Sequence, residues 1–261
     1  MPFTPSIFAS FRLDGEAALV TGAGAGIGRG AALAFAEAGA AVAVTDIDAD
    51  AAAAVASEIT DAGGTARAFA LDVANETRIV EVIDDAARAF GRLDVLVNNA
   101  GTAKRVPTVE LETADWQRVL DINLTAAMIG SREAARHMLR QGGGRIINVS
   151  SIMGLSGGGL YPNVSYHATK GALVNLTRAL AAEWAKDGIR VNAIAPTFLR
   201  TKLTEKLRED PAMVAGIEGR TPMGRFAEVD EISPGILYLA SRASAMVTGH
   251  TLAIDGGWLA I

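Results

Sequence analysis

Short apolar runs of β type alternate with longer amphipathic runs nearly from one end of the chain to the other. The apolar runs predict strands over residues 17–21, 41–45, 66–71, 95–98, 145–150, 190–195 and 251–254. Between them, helical periodicity predicts helices over 26–37, 49–62, 76–90, 113–139, 166–187 and 228–240. A further helical region starts at Thr201 and is broken by Pro211 and Pro222. Alternating strands and helices argue for an α/β fold with one parallel sheet and helices on both faces. Runs such as 41–44 and 190–195 are apolar throughout, which suits strands buried on both sides. Connections are short and no Pro/Ser-rich linker divides the chain, so residues 1–261 are expected to form a single domain. The stretch 197–223, mixed in polarity and bracketed by prolines, reads as a lid over the site.

Composition narrows the function classes. Half of the 261 residues are hydrophobic, enough for a sizeable core, and 28 glycines imply many tight turns. The net charge of −5 comes with no clustered basic face, so nucleic acid is not an expected partner. No apolar stretch reaches the roughly 20 residues of a membrane span, and residues 1–10 do not read as a secretory signal. There are no cysteines, which excludes disulfides and thiolate metal sites and fits a reducing cytoplasm. The three histidines, at 137, 167 and 250, show no metal-ligand spacing, so no metal is expected.

The first strand runs into Thr21-Gly22-Ala23-Gly24-Ala25-Gly26-Ile27-Gly28, which opens the first helix. Glycines there let the backbone turn sharply and approach a pyrophosphate, while the helix N-terminus offers free N–H groups to the anion. Asp46, followed by Ile47, ends the second strand 18 residues beyond Gly28. A carboxylate at that place accepts hydrogen bonds from both adenosine ribose hydroxyls and repels a 2′-phosphate, which favours NAD over NADP. Arg29, just past the turn, works the other way. Asp72-Val73 ends the third strand, where the carboxylate can meet the adenine amino group, and Asn98-Asn99-Ala100-Gly101 ends the fourth. Small residues there let backbone lie against a cofactor, and Asn side chains can tie neighbouring strands.

Candidate chemistry centres on Tyr166-His167-Ala168-Thr169-Lys170. Tyr166 and Lys170 are four apart and share a helix face. A phenol titrates near pH 10, and work as acid and base near neutrality needs that lowered by roughly three units, about 4 kcal/mol of preference for the anion. A neighbouring ammonium and the positive end of a nicotinamide can supply it. Ser150 and Ser151 follow the preceding strand, and either hydroxyl can hydrogen-bond a substrate oxygen. Asn123 interrupts an apolar helical stretch, where it acts either as a kink or cap or as one end of a water relay to Lys170.

The set Thr21–Gly28, Asp72, Asn98–Gly101, Asn123, Ser151, Tyr166–Lys170 and Ile254-Asp255-Gly256-Gly257 resembles the short-chain dehydrogenase/reductase family, in the family's order and over most of the chain. The resemblance implies a single Rossmann-like doubly wound sheet of about seven parallel strands, a homotetramer, and an oxidoreductase acting on CH–OH groups. It also implies roles: Tyr166 as general acid/base, Lys170 lowering its pKa and holding the nicotinamide ribose, Ser151 orienting the carbonyl and Asn123 maintaining the water relay. Pro196, Leu199 and Thr201 are implied at the nicotinamide carboxamide. Two departures stand out. Fourteen residues separate Ser151 from Tyr166, about two more than the family usual, with the excess in 157–161 at a pocket rim, and Thr197 stands where the family usually has Gly.

Substrate residues are expected at Met153, Tyr161 and Phe198, with Leu203 beside them and Ser156, His167 and Lys202 as polar contacts; His167 is not expected to be catalytic. The segments 195–203, 221–225 and 247–249 resemble polyol and sugar-acid dehydrogenases of the family, such as gluconate 5-dehydrogenase-like members. The expected reaction moves a hydride between NAD(H) and a secondary alcohol or ketone of a polyol, sugar or sugar acid. A 3-oxoacyl-carrier-protein reductase-like activity is the alternative, and a non-catalytic dinucleotide-binding protein a further one. Apolar helix faces in 116–138 and 173–184 exceed what one sheet face needs, and the resemblance makes them subunit interfaces.

Overall fold

The computed structural model describes residues 6–261; the reading of residues 1–10 as lacking a secretory signal lies partly outside the described residues. Seven strands, β1 (Ala17–Thr21), β2 (Ala41–Asp46), β3 (Thr65–Ala70), β4 (Val95–Asn98), β5 (Gly144–Val149), β6 (Ile189–Pro196) and β7 (Thr251–Ile254), form one sheet. Their order is β3-β2-β1-β4-β5-β6-β7 and every pairing is parallel. The chain starts at the centre, winds out to β3, then returns beside β1 and winds the other way. The reversal lies between β1 and β4, and a crevice opens there at the carboxyl ends of the strands.

The helices are α1 (Gly26–Glu37), α2 (Ala49–Asp61), α3 (Glu76–Phe90), α4 (Thr113–Leu120), α5 (Ala126–Gln141), α6 (Val164–Trp184), α7 (Glu205–Arg208), α8 (Pro211–Gly219) and α9 (Ser233–Ala240). The hydrophobic effect sorts them onto two faces. One core cluster joins Val20, Val42, Val44 and Val97 to Phe35 of α1 and Ile236 of α9. The other joins Leu19, Leu96 and Ile146 to Ile83 of α3, Met138 of α5 and Ala181 of α6. Alternate residues of β1 thus serve opposite faces, and all five are buried. Edge strand β3 is largely exposed, so the apolar pattern there weakens and the strand begins and ends one residue earlier than the sequence suggests.

Two expectations are corrected. The helix expected over 113–139 is two helices joined by a π-helical turn, Asp121–Thr125, with Asn123 in it. That turn is the kink that a buried Asn in an apolar stretch signalled. The helix expected to begin at Tyr166 begins at Val164, which moves Tyr166 and Lys170 away from its fraying end. The helical region expected from Thr201 is two short helices, α7 and α8, the second starting at Pro211. Asp48 caps α2 and Asn75 caps α3, each accepting a backbone N–H near the helix start.

Candidate active site

The turn after β1 is built for close approach. At Gly28 a Cβ would lie 2.2 Å from the Gly22 carbonyl oxygen and 2.5 Å from Asn99 Nδ2, so only glycine lets α1 pack against the strand end. Ala25 precedes α1 without capping it through a side chain, which leaves the first N–H groups of the helix facing the crevice. Asn99 Nδ2 donates to the carbonyls of Thr21 (2.8 Å) and Gly22 (2.9 Å), and Thr21 Oγ1 accepts from the N–H groups of Asn99 and Ala100. The β4 end thus fixes the turn, as expected of its asparagines. Asn98 Nδ2 meanwhile donates to Asn148 Oδ1 (2.9 Å), and Asn148 Nδ2 donates to Thr177 Oγ1 (2.9 Å), tying β4, β5 and α6 through groups that have left water but found partners.

At the end of β2, Asp46 is held by two backbone donors: Gly24 N–H reaches Oδ2 (2.9 Å) and Asp48 N–H reaches Oδ1 (3.0 Å). A carboxylate has about four acceptor positions, so it keeps capacity for two more donors. Arg29 is engaged elsewhere, in a two-bonded pair with Glu58 (2.5 and 3.1 Å). Asp72 accepts from Ala74 N–H (2.9 Å) and stands in the same wall.

A cavity of about 470 Å³ runs from this turn to the catalytic residues. Of the residues expected to hold a cofactor, Gly22, Ala25, Gly26, Ile27, Asp46, Ile47, Asp72, Val73, Asn99, Ala100, Gly101, Tyr166, Lys170, Pro196, Leu199 and Thr201 line it. Gly24 and Gly28 do not; they shape the turn from behind. An elongated cavity with an uncapped helix start, a carboxylate with spare acceptor capacity and a Lys-Tyr pair along its wall fits a nicotinamide dinucleotide.

At the far end, Lys170 is 4 % exposed, and its Nζ donates to the Val149 carbonyl (2.6 Å) and lies 5.5 Å from the centre of the Tyr166 ring. Burial lowers the lysine to about 8. Burial pushes the Tyr166 phenol up to about 12, against the pull of its hydrogen bond with the Ser151 side chain; the nearby Tyr161 raises it too and the Arg105 guanidinium lowers it. In the protein alone, desolvation therefore outweighs the stabilisation of the phenolate that the sequence reading asks for. The two serines separate cleanly. Ser150 donates to the Lys170 carbonyl (2.8 Å) and braces α6, whereas Ser151, accepting from Met153 N–H (3.1 Å), is the one that meets Tyr166. Gly154 permits the Ser150 contact with α6, since a Cβ there would lie 2.5 Å from the Lys170 carbonyl oxygen.

Asn123 does not line the cavity. Its side chain is fully engaged: Nδ2 donates to the Thr102 carbonyl (2.9 Å) and Thr169 Oγ1 (3.1 Å), and Oδ1 accepts from Thr102 N–H (2.8 Å). It locks the segment after β4 to α6, directly behind the catalytic pair. Met153, Tyr161 and Phe198, the residues expected at a substrate, line the far end of the cavity, with Lys202 and Leu203. Phe198 stacks tilted on Trp258 (5.4 Å) and edge-on to Tyr161 (6.3 Å), giving that end an apolar floor. Ser156 and His167 are not in the wall; Ser156 donates to the Ile152 carbonyl, and His167 Nδ1 pairs with the Asn163 carbonyl (2.8 Å).

Sequence reasoning missed Arg105. It lines the cavity, its guanidinium lies 5.4 Å from the Tyr161 ring centre, and Nη2 donates to the Leu203 carbonyl (3.1 Å), while its buried Nε has no partner. The signal was a basic dipeptide, Lys104-Arg105, six and seven residues past the end of β4; Lys104 is spent on Asp115 (2.7 Å) and Arg105 is not paired with a carboxylate. Among the described residues no group of acidic residues and histidines is placed to hold a metal ion, and no helix is long and apolar enough to cross a membrane.

Comparison with known proteins follows the same lines. A family model described as enoyl-(acyl carrier protein) reductase matches residues 22–259. The chain is 38% identical over 255 residues to 2-dehydro-3-deoxy-D-gluconate 5-dehydrogenase of Escherichia coli strain K12, covering 97% of this chain and 99% of that protein. It is 42% identical over 253 residues to D-threitol dehydrogenase of Mycolicibacterium smegmatis, covering 97% and 96%. Among solved structures, a gluconate 5-dehydrogenase from Burkholderia cenocepacia in complex with NADP and tartrate superposes with a TM-score of 0.94 at 38% identity, covering 98% of this chain and all of that one.

Proposed function

The chain belongs to the short-chain dehydrogenase/reductase family and is an oxidoreductase of CH–OH groups, and on that premise we propose that it uses NAD to oxidise a secondary alcohol of a sugar acid or polyol. The observation that carries the substrate class is Arg105: a guanidinium in the cavity wall with no carboxylate partner and one buried donor unspent. A half-buried guanidinium in the cavity wall without a counter-charge can take a substrate carboxylate through charge-assisted hydrogen bonds. The relatives named for hydroxylated acids and polyols support the same class. An acyl chain would leave the Arg105 donor unpaired.

NAD is proposed over NADP on the Asp46 carboxylate. Its wall neighbours are Ile47 and Asp72, and the basic residue nearest the turn, Arg29, is committed to Glu58. A 2′-phosphate would meet charge repulsion with no cation offered by these residues. The NADP in the Burkholderia structure is that protein's own, and the carboxylate argument is the reason for assigning this chain differently.

Gly22, Ala25–Ile27 and the start of α1 would hold the pyrophosphate, Asp46 the adenosine ribose, and Lys170 with Pro196, Leu199 and Thr201 the nicotinamide half. The dinucleotide supplies a two-electron hydride acceptor. The chain's own residues handle the proton. Ser151 accepts from Met153 N–H, which leaves its hydroxyl proton directed at the Tyr166 phenol, where the reacting oxygen would join them. Tyr166 would act as the phenolate, formed when a positive nicotinamide stands beside it, taking the proton from that oxygen as hydride departs; the resulting phenol would return it in the reductive direction. Lys170 sets a positive charge beside the phenol below about pH 8, and Asn123 keeps its surroundings rigid. The same reading includes a single domain, with residues 197–223 closing over substrate, and a homotetramer in the cytoplasm.

A panel of aldonates, polyols and simple ketones, each with NAD and with NADP and read by the absorbance of the reduced nicotinamide, tests the proposal. The expected result is turnover of a hydroxylated acid or polyol with NAD preferred at least about tenfold, one step of 1.4 kcal/mol. Activity confined to simple ketones or acyl substrates, or a preference for NADP, would overturn it.

A further inference from the structure

Arg220, the residue after α8, does not line the cavity, yet two routes lead from it to the cavity's far end. Along the first, its guanidinium lies 5.0 Å from the Trp258 ring centre, Trp258 lies 5.4 Å from Phe198, and Phe198 lies 6.3 Å from Tyr161. Along the second, its Nη1 donates to the Gly158 carbonyl (2.7 Å), three residues ahead of Tyr161 in the same loop. Both routes end at Tyr161, and that ring carries the Arg105 guanidinium, 5.4 Å from its centre. These separations are those of packed rings and of cations held on ring faces. The ladder is anchored at its outer end. Trp258 is 4 % exposed, and Met223 N–H donates to the Gly256 carbonyl (3.1 Å), which ties the chain after Arg220 to the chain before Trp258. The loop is anchored from below. Gly158 has a φ of +68°, and a Cβ there would lie 2.5 Å from His167 Nε2, so its backbone packs directly on α6. The clamp thus falls on residues 157–161, where this chain is longer than the family usual.

We infer that Arg220 is a positioning residue for substrate recognition: by clamping the 157–161 loop to Trp258 it sets the place of Tyr161, and through that ring the place of the Arg105 guanidinium. The inference rests on the proposal above that Arg105 takes a substrate carboxylate. An arginine on a free stem loses rotamer freedom when it binds, and a ring that already holds its face lowers that cost. The preference for a carboxylate therefore depends on where Tyr161 stands. Arg220 reaches neither the reacting atoms nor the dinucleotide turn, so its effect belongs to the choice between charged and neutral substrates and not to hydride transfer.

The test is a double-mutant cycle between two residues joined only through the ladder, read as the ratio of kcat/KM for an aldonate to that for the neutral polyol of the same skeleton, with NAD. Arg220→Met keeps a stem over Trp258 but removes the charge and the donor. It should shrink that ratio at least about fivefold, through the KM for the aldonate, with kcat and the KM for NAD within about twofold of wild type. Arg220→Lys, which keeps the charge, should recover part of the ratio. In an Arg105→Ala background, Arg220→Met should move the ratio by less than about twofold, because the group it positions is gone. Equal losses on aldonate and polyol, a loss confined to kcat or to NAD binding, or the same shift in the ratio with and without Arg105 would overturn the inference while the reading of Arg105 stands. An Arg220→Met chain that fails to fold would overturn it too, since that marks a prop of the core. A wild type without preference for the aldonate would overturn both.

Discussion

The two ends of the cavity are made differently. At the dinucleotide end the wall is mostly backbone and small side chains: Gly22, Ala25, Gly26, Ala100 and Gly101, with Asp46 as the one strongly placed charge. At the substrate end it is large or polar side chains from four separate stretches: Arg105 after β4, Tyr161 and Asn163 before α6, and Thr197 and Phe198 after β6, with Met153 between. Backbone recognition tolerates no variation in Cβ, as the 2.2 Å approach at Gly28 shows, but it says little about which molecule is oxidised. Side-chain recognition does the reverse. The catalytic pair stands where the two ends meet, on an α6 that begins only two residues ahead of Tyr166.

Replacing the proton carrier strikes the point where the two ends meet. Tyr166→Phe should cut kcat by about 10²–10⁴-fold, the usual contribution of a positioned acid or base, with NAD binding retained by fluorescence titration. Full turnover in that variant would refute the mechanism. Arg105→Ala sharpens the contrast by striking only the substrate end. The KM for a carboxylate-bearing substrate should rise about thirtyfold, some 2 kcal/mol, with the KM for NAD little changed; an equal effect on a neutral polyol would remove the carboxylate from the account. Asp46→Ala strikes only the dinucleotide end. It should lower kcat/KM for NAD by about tenfold and narrow the gap to NADP, whatever the alcohol.

The smallest effect concerns stability. Lys170 is lowered from 10.5 to about 8 by burial, so the unfolded chain binds more protons than the folded one between those values. Stability gains from this group as pH rises through that window, and below about pH 8 the buried charge weakens the fold. Lys170→Met should therefore raise stability at pH 7 by about 1–2 kcal/mol, the desolvation relieved less the hydrogen bond to Val149, while activity falls sharply. A thermal melt and a rate assay on the same sample check both halves. A destabilised variant would mean that the Lys170–Val149 contact outweighs the buried charge.

The same division governs what the chain discloses in sequence. Gly22 to Gly28 and Asp46 are legible because the turn is local: one strand, one helix, one strand, with the constraint carried by residues that have few other uses. Tyr166, Lys170 and Ser151 are legible as a spaced set. What stays hidden is non-local. Asn123 announces a disturbance in an apolar helix, but its π-turn and its grip on Thr102 and Thr169 need the 21- and 46-residue separations closed by the fold. Ser150 and Ser151 are equivalent as letters and differ only because one points to the Lys170 carbonyl. Arg105 looks like any surface cation until Asp115 is seen to occupy Lys104 instead. Likewise the raised pKa of Tyr166 follows from desolvation in the cavity wall, which no spacing of letters reveals.

The account's central claim is that one end of the cavity commits the enzyme to NAD and the other to a hydroxylated acid. It is tested most directly by the initial rate of NAD reduction with an aldonate and with the neutral polyol of the same carbon skeleton, each measured for the wild type and for Arg105→Ala. The wild type should favour the aldonate in kcat/KM by about tenfold or more, and the variant should lose most of that preference. A wild type that treats the two alike, or a variant that keeps the preference, would contradict the claim.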